Sequence, residues 1–213
     1  TVKASASKRK TGEVVVRIRQ TGSCAAGDHV FRHIHVYTIH PDGTMHIDNR
    51  ISADRNLPSL PRIGVVMECA PGLEKLSWFG RGPHESYWDR KAGAPFGLYR
   101  STVREQVLPY GMPQEHGNKT DVDWMSLAAE KGTARIRFVM DSPLECSASH
   151  FSSEQLFAAK HINELEPSET VFVTIDWRQR GLGTGSCGPQ TLPRYEVNPG
   201  RYRFGFTVDT RRG

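Results

Sequence analysis

The sequence contains no apolar run long enough to cross a bilayer. A membrane-spanning helix needs about 20 consecutive apolar residues, so a spanning segment is excluded. A charged start followed by an apolar stretch and a small-residue cleavage site is also absent, so a secretory leader is not expected. The first residue is Thr1 rather than Met, which suggests a trimmed chain whose ends say little about targeting.

Cysteine is scarce and scattered. The four cysteines form no C-x-x-C pair and have no histidine at ligand spacing beside them, so no zinc site is predicted. Widely spaced thiols are typical of a reducing compartment, and we predict a cytoplasmic protein, although two disulfide bridges remain formally possible. The positions are Cys24, Cys69, Cys146 and Cys187.

Concentrated positive charge is lacking too. The formal net charge is +5, but lysine and arginine are dense only at 8–10 and 211–212. A nucleic-acid-binding protein usually presents a basic patch or stripe, so no nucleic-acid partner is predicted.

Hydrophobic residues alternate with polar ones along most of the chain, which is the period of a half-buried strand. With 213 residues, the chain can bury the core of one large domain. No βαβ rhythm, heptad or internal repeat is visible, so an antiparallel sandwich is favoured. Strands are predicted at 12–19, 30–39, 63–69, 133–140, 170–177 and 201–208, with a hairpin turn at 40–43 and strand residues from Met45 to Ile51.

One helix is predicted at 153–161. Ser152 can cap its free amides, and Gln155 can reach back to the cap residue. The segment 21–28 is predicted to be a loop.

Histidines cluster in the first third of the chain, at positions 29, 33, 35, 40 and 46. Alternate spacing puts His33 and His35 on one strand face. No carboxylate or thiolate lies in register to complete a metal shell, so we interpret the row as a solvated strand face.

The stretch from Trp78 to Trp124 is rich in glycine, proline, charge and aromatic residues. It reads W-F-G-R-G-P-H-E-S-Y-W-D-R-K-A-G and then L-P-Y-G-M-P-Q-E-H-G-N-K-T-D-V-D-W, joined by a bridge through Tyr99 and Val103. Connections of this kind usually form a site or an interface. Gly80 and Gly82 are expected to adopt backbone angles that other residues avoid.

Glycoside hydrolysis usually requires two facing carboxylates, about 5 Å apart for retention. Glu85 and Glu115 are the candidate pair. Nearby cations favour another role for them, as ion-pair partners or acceptors of backbone amides. The cations are Arg81, Arg90 and Lys119. Further candidate catalytic carboxylates are Asp89, Asp121 and Asp123.

The aromatic residues of this stretch allow two interpretations. They could line a carbohydrate-binding face, or they could form core and interface, which we favour because docked loops must bury apolar surface. The residues are Trp78, Tyr87, Trp88, Tyr110 and Trp124.

The motifs G-R-G-P-H-E-S-Y-W-D-R-K and P-Y-G-M-P-Q-E-H-G-N-K-T-D-V resemble the C-terminal, small-chain domain of the β-galactosidases of glycoside hydrolase family 2. The resemblance implies an antiparallel supersandwich, shared with galactose mutarotases, that occupies residues 1–213 as one domain. Residues 60–213 match strongly, and residues 1–59 are leading strands. In that family the domain begins earlier, with an N-D-x-G loop that is missing here, so an N-terminal truncation is expected.

The resemblance also implies a function. The whole protein is expected to hydrolyse terminal β-D-galactosides such as lactose, with both catalytic Glu residues on a separate barrel domain. This chain would then hold no catalytic residue, no metal and no cofactor, and would be inactive alone, while Mg²⁺ and Na⁺ are expected elsewhere in the enzyme. Expected partners are the remaining domains or a large subunit, in an oligomeric enzyme.

By the same resemblance, the glycine-rich loop G-L-G-T-G-S-C-G-P at 181–189 forms a wall of the sugar pocket. The predicted substrate-binding residues are Gly185, Ser186 and Cys187. Some family members have a stacking tryptophan at the position of Cys187, whose thiol offers no π-face. Neither a nucleotide cradle nor a nucleophilic cysteine is expected, because no helix follows and no base is evident.

Two other functions stay open. One is a stand-alone carbohydrate-binding module, and the other is a mutarotase-like aldose epimerase, which needs an acid and a base across one pocket.

Overall fold

Alternating apolar and polar residues build an almost entirely β structure. The computed structural model describes residues 1–23, 30–184 and 188–211. The strands described are β1 (Val2–Lys8), β2 (Val14–Ser23), β3 (Val30–Ile39), β4 (Met45–Ala53), β5 (Arg62–Cys69), β6 (Lys75–Arg81), β7 (Phe96–Thr102), β8 (Lys119–Ala128), β9 (Arg135–Ser149), β10 (Val171–Gln179) and β11 (Arg201–Asp209).

Every strand pairing among the described residues is antiparallel. The order along the main path is β1-β2-β3-β4-β11-β9-β8-β6-β7, while β10 joins β9 to β5. This confirms the antiparallel, all-β architecture expected from the alternating sequence.

Strand β9 connects two parts of the fold, the ladder with β11 and the ladder with β10. Its first half pairs with β11 through 137–140, and its second half pairs with β10 through 145–149. Pro143 lies between these ladders and is exposed, so its missing N–H interrupts neither of them. The strand predicted at 133–140 therefore continues to Ser149, and its predicted end was wrong.

The core lies between the inward faces of the strands. Apolar residues of β10 and β11 alternate into it, and Val171, Val173, Ile175 and Phe206 are each 0% exposed. By contrast, β1 is exposed along its whole length.

The single α-helix described, α1 (Ser153–Ala158), has the predicted capping box. Ser152 Oγ accepts the N–H of Gln155, and Gln155 Oε1 accepts the N–H of Ser152. The helix ends three residues earlier than predicted. In the part of the chain described, no helix is both long and apolar enough to cross a membrane.

Several local predictions need correction. Strands β1, β7 and β8 were missed. The alternating residues of β1 are mostly small alanines and serines, and β7 and β8 lie in the stretch that was interpreted as connecting loops. The loop predicted at 21–28 begins with strand residues through Ser23, and 24–29 lie outside the described residues.

The strand face that carries His33 and His35 is half-buried rather than fully solvated. His33 and His35 share a face with Phe31 and Tyr37, which pack against the core. Burial lowers the pKa of His33 to about 4, so this ring is neutral at neutral pH. In the described residues, no group of three or more His, Cys, Asp or Glu could hold a metal ion.

Gly80 and Gly82 are needed for close packing rather than for unusual backbone angles. A Cβ at Gly80 would lie 2.9 Å from Val122 Cα, and one at Gly82 would lie 2.8 Å from the Tyr99 ring. Neither glycine has a positive φ. Cys69 and Cys146 are buried free thiols, and Cys24 and Cys187 lie outside the described residues.

Candidate functional site

Three connections meet at one end of the sheet, and together we call their described residues the loop corner (residues 82–95, 107–118, 180–184 and 188–200). The end of β6 supplies the first, the start of β8 follows the second, and the end of β10 supplies the third. The N–H of Ser86 donates to Asn118 O at 2.8 Å, and the N–H of Gly181 donates to Tyr195 O at 2.8 Å. The corner therefore has a defined backbone.

Glu85 is held by four donors and is 7% exposed at its side chain. The Tyr110 hydroxyl donates at 2.6 Å, the Gly117 N–H at 2.9 Å and the Tyr87 hydroxyl at 3.2 Å, and Arg90 forms an ion pair with it. Burial pushes the pKa of Glu85 upward, but these hydrogen bonds and the charge of Arg90 lower it overall. Glu85 is therefore an ionised structural carboxylate.

Glu115 lies against a buried ion pair. Arg62 Nη1 is 3.2 Å from Glu115 Oε2, and Arg62 Nη2 is 2.5 Å from Asp176 Oδ2. The Asp176 side chain is 1% exposed. Burial raises the pKa of Asp176 to about 6, against the opposing charge of Arg62. Both candidate carboxylates thus have cationic partners. Arg90 was among the predicted cations, whereas Arg62, the partner of Glu115, was not.

Glu145 is the second buried acid beneath the loop corner. Its Oε2 accepts the N–H of Gln179 and the amide of Asn118, both at 3.2 Å, and Arg178 lies 3.6 Å from Oε1. Burial raises the pKa of Glu145 to about 7 despite Arg178. With a side chain 1% exposed, Glu145 is out of reach of a sugar.

Lys119 is a buried cation of the same region, at 2% exposure. Its Nζ donates to Gly117 O at 3.2 Å and lies 5.2 Å from the centre of the Trp78 ring. Burial lowers the pKa of Lys119 to about 8, while the charge of Glu85 opposes this.

Asp89 links the first connection to the third. Its Oδ1 accepts the N–H of Leu182 at 3.0 Å, and its Oδ2 accepts the N–H of Gly183 at 2.7 Å and the hydroxyl of Thr191 at 3.3 Å. Asp121 plays a different part, because it pairs with Arg81 and Lys91.

The predicted substrate-binding residues Gly185, Ser186 and Cys187 lie outside the described residues. The residues beside them are described, and the N–H of Thr184 donates to Pro189 O at 3.1 Å. The substrate-binding assignment stays a prediction.

The aromatic residues are divided among different environments. Trp78 and Tyr87 are each 1% exposed, so these two cannot line a sugar-binding face. Trp88 is half-buried, edge-on to Tyr195, and Trp124 is covered by the Arg137 guanidinium at 4.3 Å. Most of this set therefore packs within the fold.

Sequence reasoning missed the buried acids Asp176 and Glu145. Both lie in strands where alternation predicts a buried and a solvated face, yet residues of both faces are buried here. The available signal was a single acid inside an apolar run, V-F-V-T-I-D-W and P-L-E-C-S-A.

Comparison of the fold with solved structures defines its class. The GalM/aldose epimerase homologue from C. elegans matches with a TM-score of 0.51 and 10% sequence identity, over 99% of this chain and 69% of that chain. At this identity the likeness shows the fold alone. The protein is thus an antiparallel supersandwich of the galactose mutarotase type.

Sequence comparison defines the family. Residues 1–208 match the family described as "Beta galactosidase small chain". The β-galactosidase of Priestia megaterium (strain DSM 319 / IMG 1521) is 37% identical over 174 residues, which are 81% of this chain and 17% of that protein. The β-galactosidase of Pseudoalteromonas haloplanktis is 31% identical over 175 residues, 81% of this chain and 16% of that protein.

The chain belongs to the β-galactosidase small-chain family. It spans about a sixth of the length of the curated relatives it matches.

Proposed function

We propose that this chain is the pocket-wall and assembly part of a β-galactosidase that hydrolyses terminal β-D-galactosides such as lactose. The observation on which the proposal rests is the family match over residues 1–208. The catalytic Glu pair, together with any Mg²⁺ and Na⁺, would lie in other parts of a cytoplasmic, oligomeric enzyme.

The environments of the acids support a division of labour. A glycosidase acid and base must both reach the scissile bond. Here Glu85 has four donors and Glu115 pairs with Arg62, while Asp176 and Glu145 are buried. These acids are suited to holding the loop corner rather than to bond cleavage.

The loop corner is proposed to supply the wall of the sugar pocket. Its glycine-rich connection is anchored to Asp89 and closed by Thr184 and Pro189 on either side of 185–187. In this proposal Gly185, Ser186 and Cys187 contact the sugar. The thiol of Cys187 would give weaker stacking on a glucose leaving group than an aromatic ring.

An apolar row on the outer sheet face is proposed as the assembly surface. Leu98, Phe79, Trp124 and Val139 lie side by side on β7, β6, β8 and β9, and Phe96 contacts Phe79. Leu98 is 51% exposed, Phe96 48% and Val139 40%. We assign this row to the rest of the β-galactosidase polypeptide, because relatives extend far beyond the matched segment.

Activity measurements test the division of labour. We expect the pure 213-residue chain to show no turnover of a chromogenic β-galactoside. The complete polypeptide or two-chain complex containing it should be active, and removal of this segment should abolish activity. Robust hydrolysis by the pure chain would refute the proposal.

Leu98→Lys tests the assembly surface. The isolated variant chain should fold normally, because Leu98 is exposed, but it should bind the remaining polypeptide at least about tenfold more weakly. Val66→Lys is the matched control, since Val66 is 56% exposed on β5 and outside the row. Equal binding by both variants would argue against this surface.

Calorimetry separates this proposal from a stand-alone sugar-binding module. The isolated chain is expected to bind galactose and lactose weakly, because an incomplete pocket buries little of the sugar. A Kd in the micromolar range would favour the module instead.

A further inference from the structure

Asp89 lies in the first connection of the loop corner. Its side chain binds residues near the start of the glycine-rich loop and just after the end of that loop. Its carboxylate accepts the N–H groups of Leu182 and Gly183 on one side and the hydroxyl of Thr191 on the other. The partners lie 93, 94 and 102 residues away in sequence. One side chain thus joins two connections that leave different strands.

The geometry leaves little freedom at this junction. Gly183 has φ +61, and a Cβ there would lie 2.5 Å from the backbone nitrogen of Thr191. A Cβ at Gly181 would lie 2.8 Å from Asp89 Cγ. At both glycines the backbone therefore packs directly against Asp89 or Thr191. A side chain at either position would push these neighbours away.

Each partner of Asp89 in this junction is a donor, as a carboxylate requires. Two backbone N–H groups bind its two different oxygens, an arrangement that an uncharged amide cannot reproduce, because its NH₂ group would face one of them. Hydrogen bonds to an ionised acceptor are also stronger than neutral ones.

We infer that Asp89 is the positioning residue for the proposed pocket wall, because it holds the described residues before and after 185–187, at Leu182, Gly183 and Thr191. This inference rests on the proposed function, because the loop is the proposed pocket wall. Asp89 touches no reacting atom and acts through Leu182, Gly183 and Thr191.

The first experiment needs no enzymatic activity. Amide hydrogen exchange is measured in the 213-residue chain, and Asp89→Ala should speed exchange at Leu182 and Gly183 by about tenfold or more. Asp89→Asn should give a smaller increase, since one oxygen remains. Asp141→Asn is the control, because Asp141 contacts His46 on the outer sheet face and should leave both amides unchanged. Unchanged exchange in Asp89→Ala would overturn the inference.

The second experiment uses the complete β-galactosidase. Asp89→Asn should raise the KM for lactose about tenfold while leaving kcat for an activated aryl β-galactoside within about twofold, because the wall contacts the sugar and not the reacting bond. Asp89→Glu, which keeps two carboxylate oxygens, should recover part of the loss. An equal fall of kcat for both substrates, or no change in KM, would overturn the inference.

Failure of the proposed function has a separate signature. It would appear as absence of galactoside hydrolysis by the unsubstituted complete protein, before any variant is compared.

Discussion

Asp176 shows how strongly burial changes a single residue. Its side chain is 1% exposed and depends on Arg62, which approaches from the neighbouring strand β5. A buried carboxylate without a cation is costly, because the protein interior replaces its hydration poorly. The pair therefore matters more as a condition for folding than as a source of net stability.

Arg62→Met is expected to lower the free energy of unfolding by about 3 kcal/mol at pH 8, the lower end for breaking a buried pair. Urea denaturation measures the loss. The loss should be smaller at pH 5 than at pH 8, because Asp176, with a pKa of about 6 in the wild type, is protonated at pH 5 and then needs no cation. Arg203→Met is the control, since Arg203 is 69% exposed and its partner Asp48 keeps Arg50. An equally large loss of stability in Arg203→Met would contradict a special role for Arg62.

Glu145 should make stability depend on pH. Burial raises its folded-state pKa from 4.5 to about 7, so the folded protein holds a proton that the unfolded chain releases. The contribution of Glu145 to the free energy of unfolding is therefore fully present below about pH 4.5 and is lost as the pH rises to about 7.

Glu145→Gln removes this dependence. Relative to the wild type, the variant should gain up to about 3 kcal/mol between pH 5 and pH 8, because a tenfold change in proton affinity corresponds to about 1.4 kcal/mol. Urea midpoints at each pH test this, with Glu130→Gln as an exposed control. A constant difference between Glu145→Gln and wild type would refute it.

At the scale of elements, the close approach of β6 to β8 defines the base of the loop corner. The pairing of these strands runs through Phe79 and Trp124, and the register of β8 shifts between Lys119 and Val122. An irregular strand with an extra residue can bring its backbone close to a neighbour. Gly80 faces this irregular segment.

Gly80→Ala should destabilise the fold by about 1–3 kcal/mol, the usual cost of overpacking. The added methyl would lie 2.9 Å from both Val122 Cα and Val122 Cγ2, and the backbone atom cannot move cheaply. Gly111→Ala is the control, because nothing lies within 4 Å of its Cβ position. Thermal denaturation of both variants tests this prediction. Equal midpoints would show that the backbone of β8 moves to accommodate the added methyl group.

At the scale of the whole molecule, β9 joins both parts of the fold. It contributes to the ladder with β11 and to the ladder with β10, and its buried residues Phe138 and Cys146 belong to one core cluster. A shared strand and a shared core couple the stability of the two parts. This supports one domain for residues 1–213, which is still a prediction.

Unfolding of the 213-residue chain should therefore be a single transition. Tryptophan fluorescence and far-UV circular dichroism should give the same urea midpoint, because neither part keeps its core alone. Two separated midpoints would show two independent units.

Local features could be predicted from the sequence because neighbouring residues decide them. Alternation located β2, β3, β5, β10 and β11. Ser152 and Gln155 predicted the start of α1, and the turn at 40–43 followed from its Pro and Gly. The motifs around Glu85 and Glu115 also indicated the family that the comparison then established.

The partners of the site residues were decided only by the tertiary structure. Asp176 meets Arg62 across 114 positions, and Asp89 meets Gly183 across 94, because β5 pairs with β10 and two strand ends meet at one corner. Spacing along the chain has no information about such pairings, since the order of strands in a sheet depends on packing the whole core. The sequence therefore determined which residues form strands and turns, and only the folded arrangement decided which charges face one another.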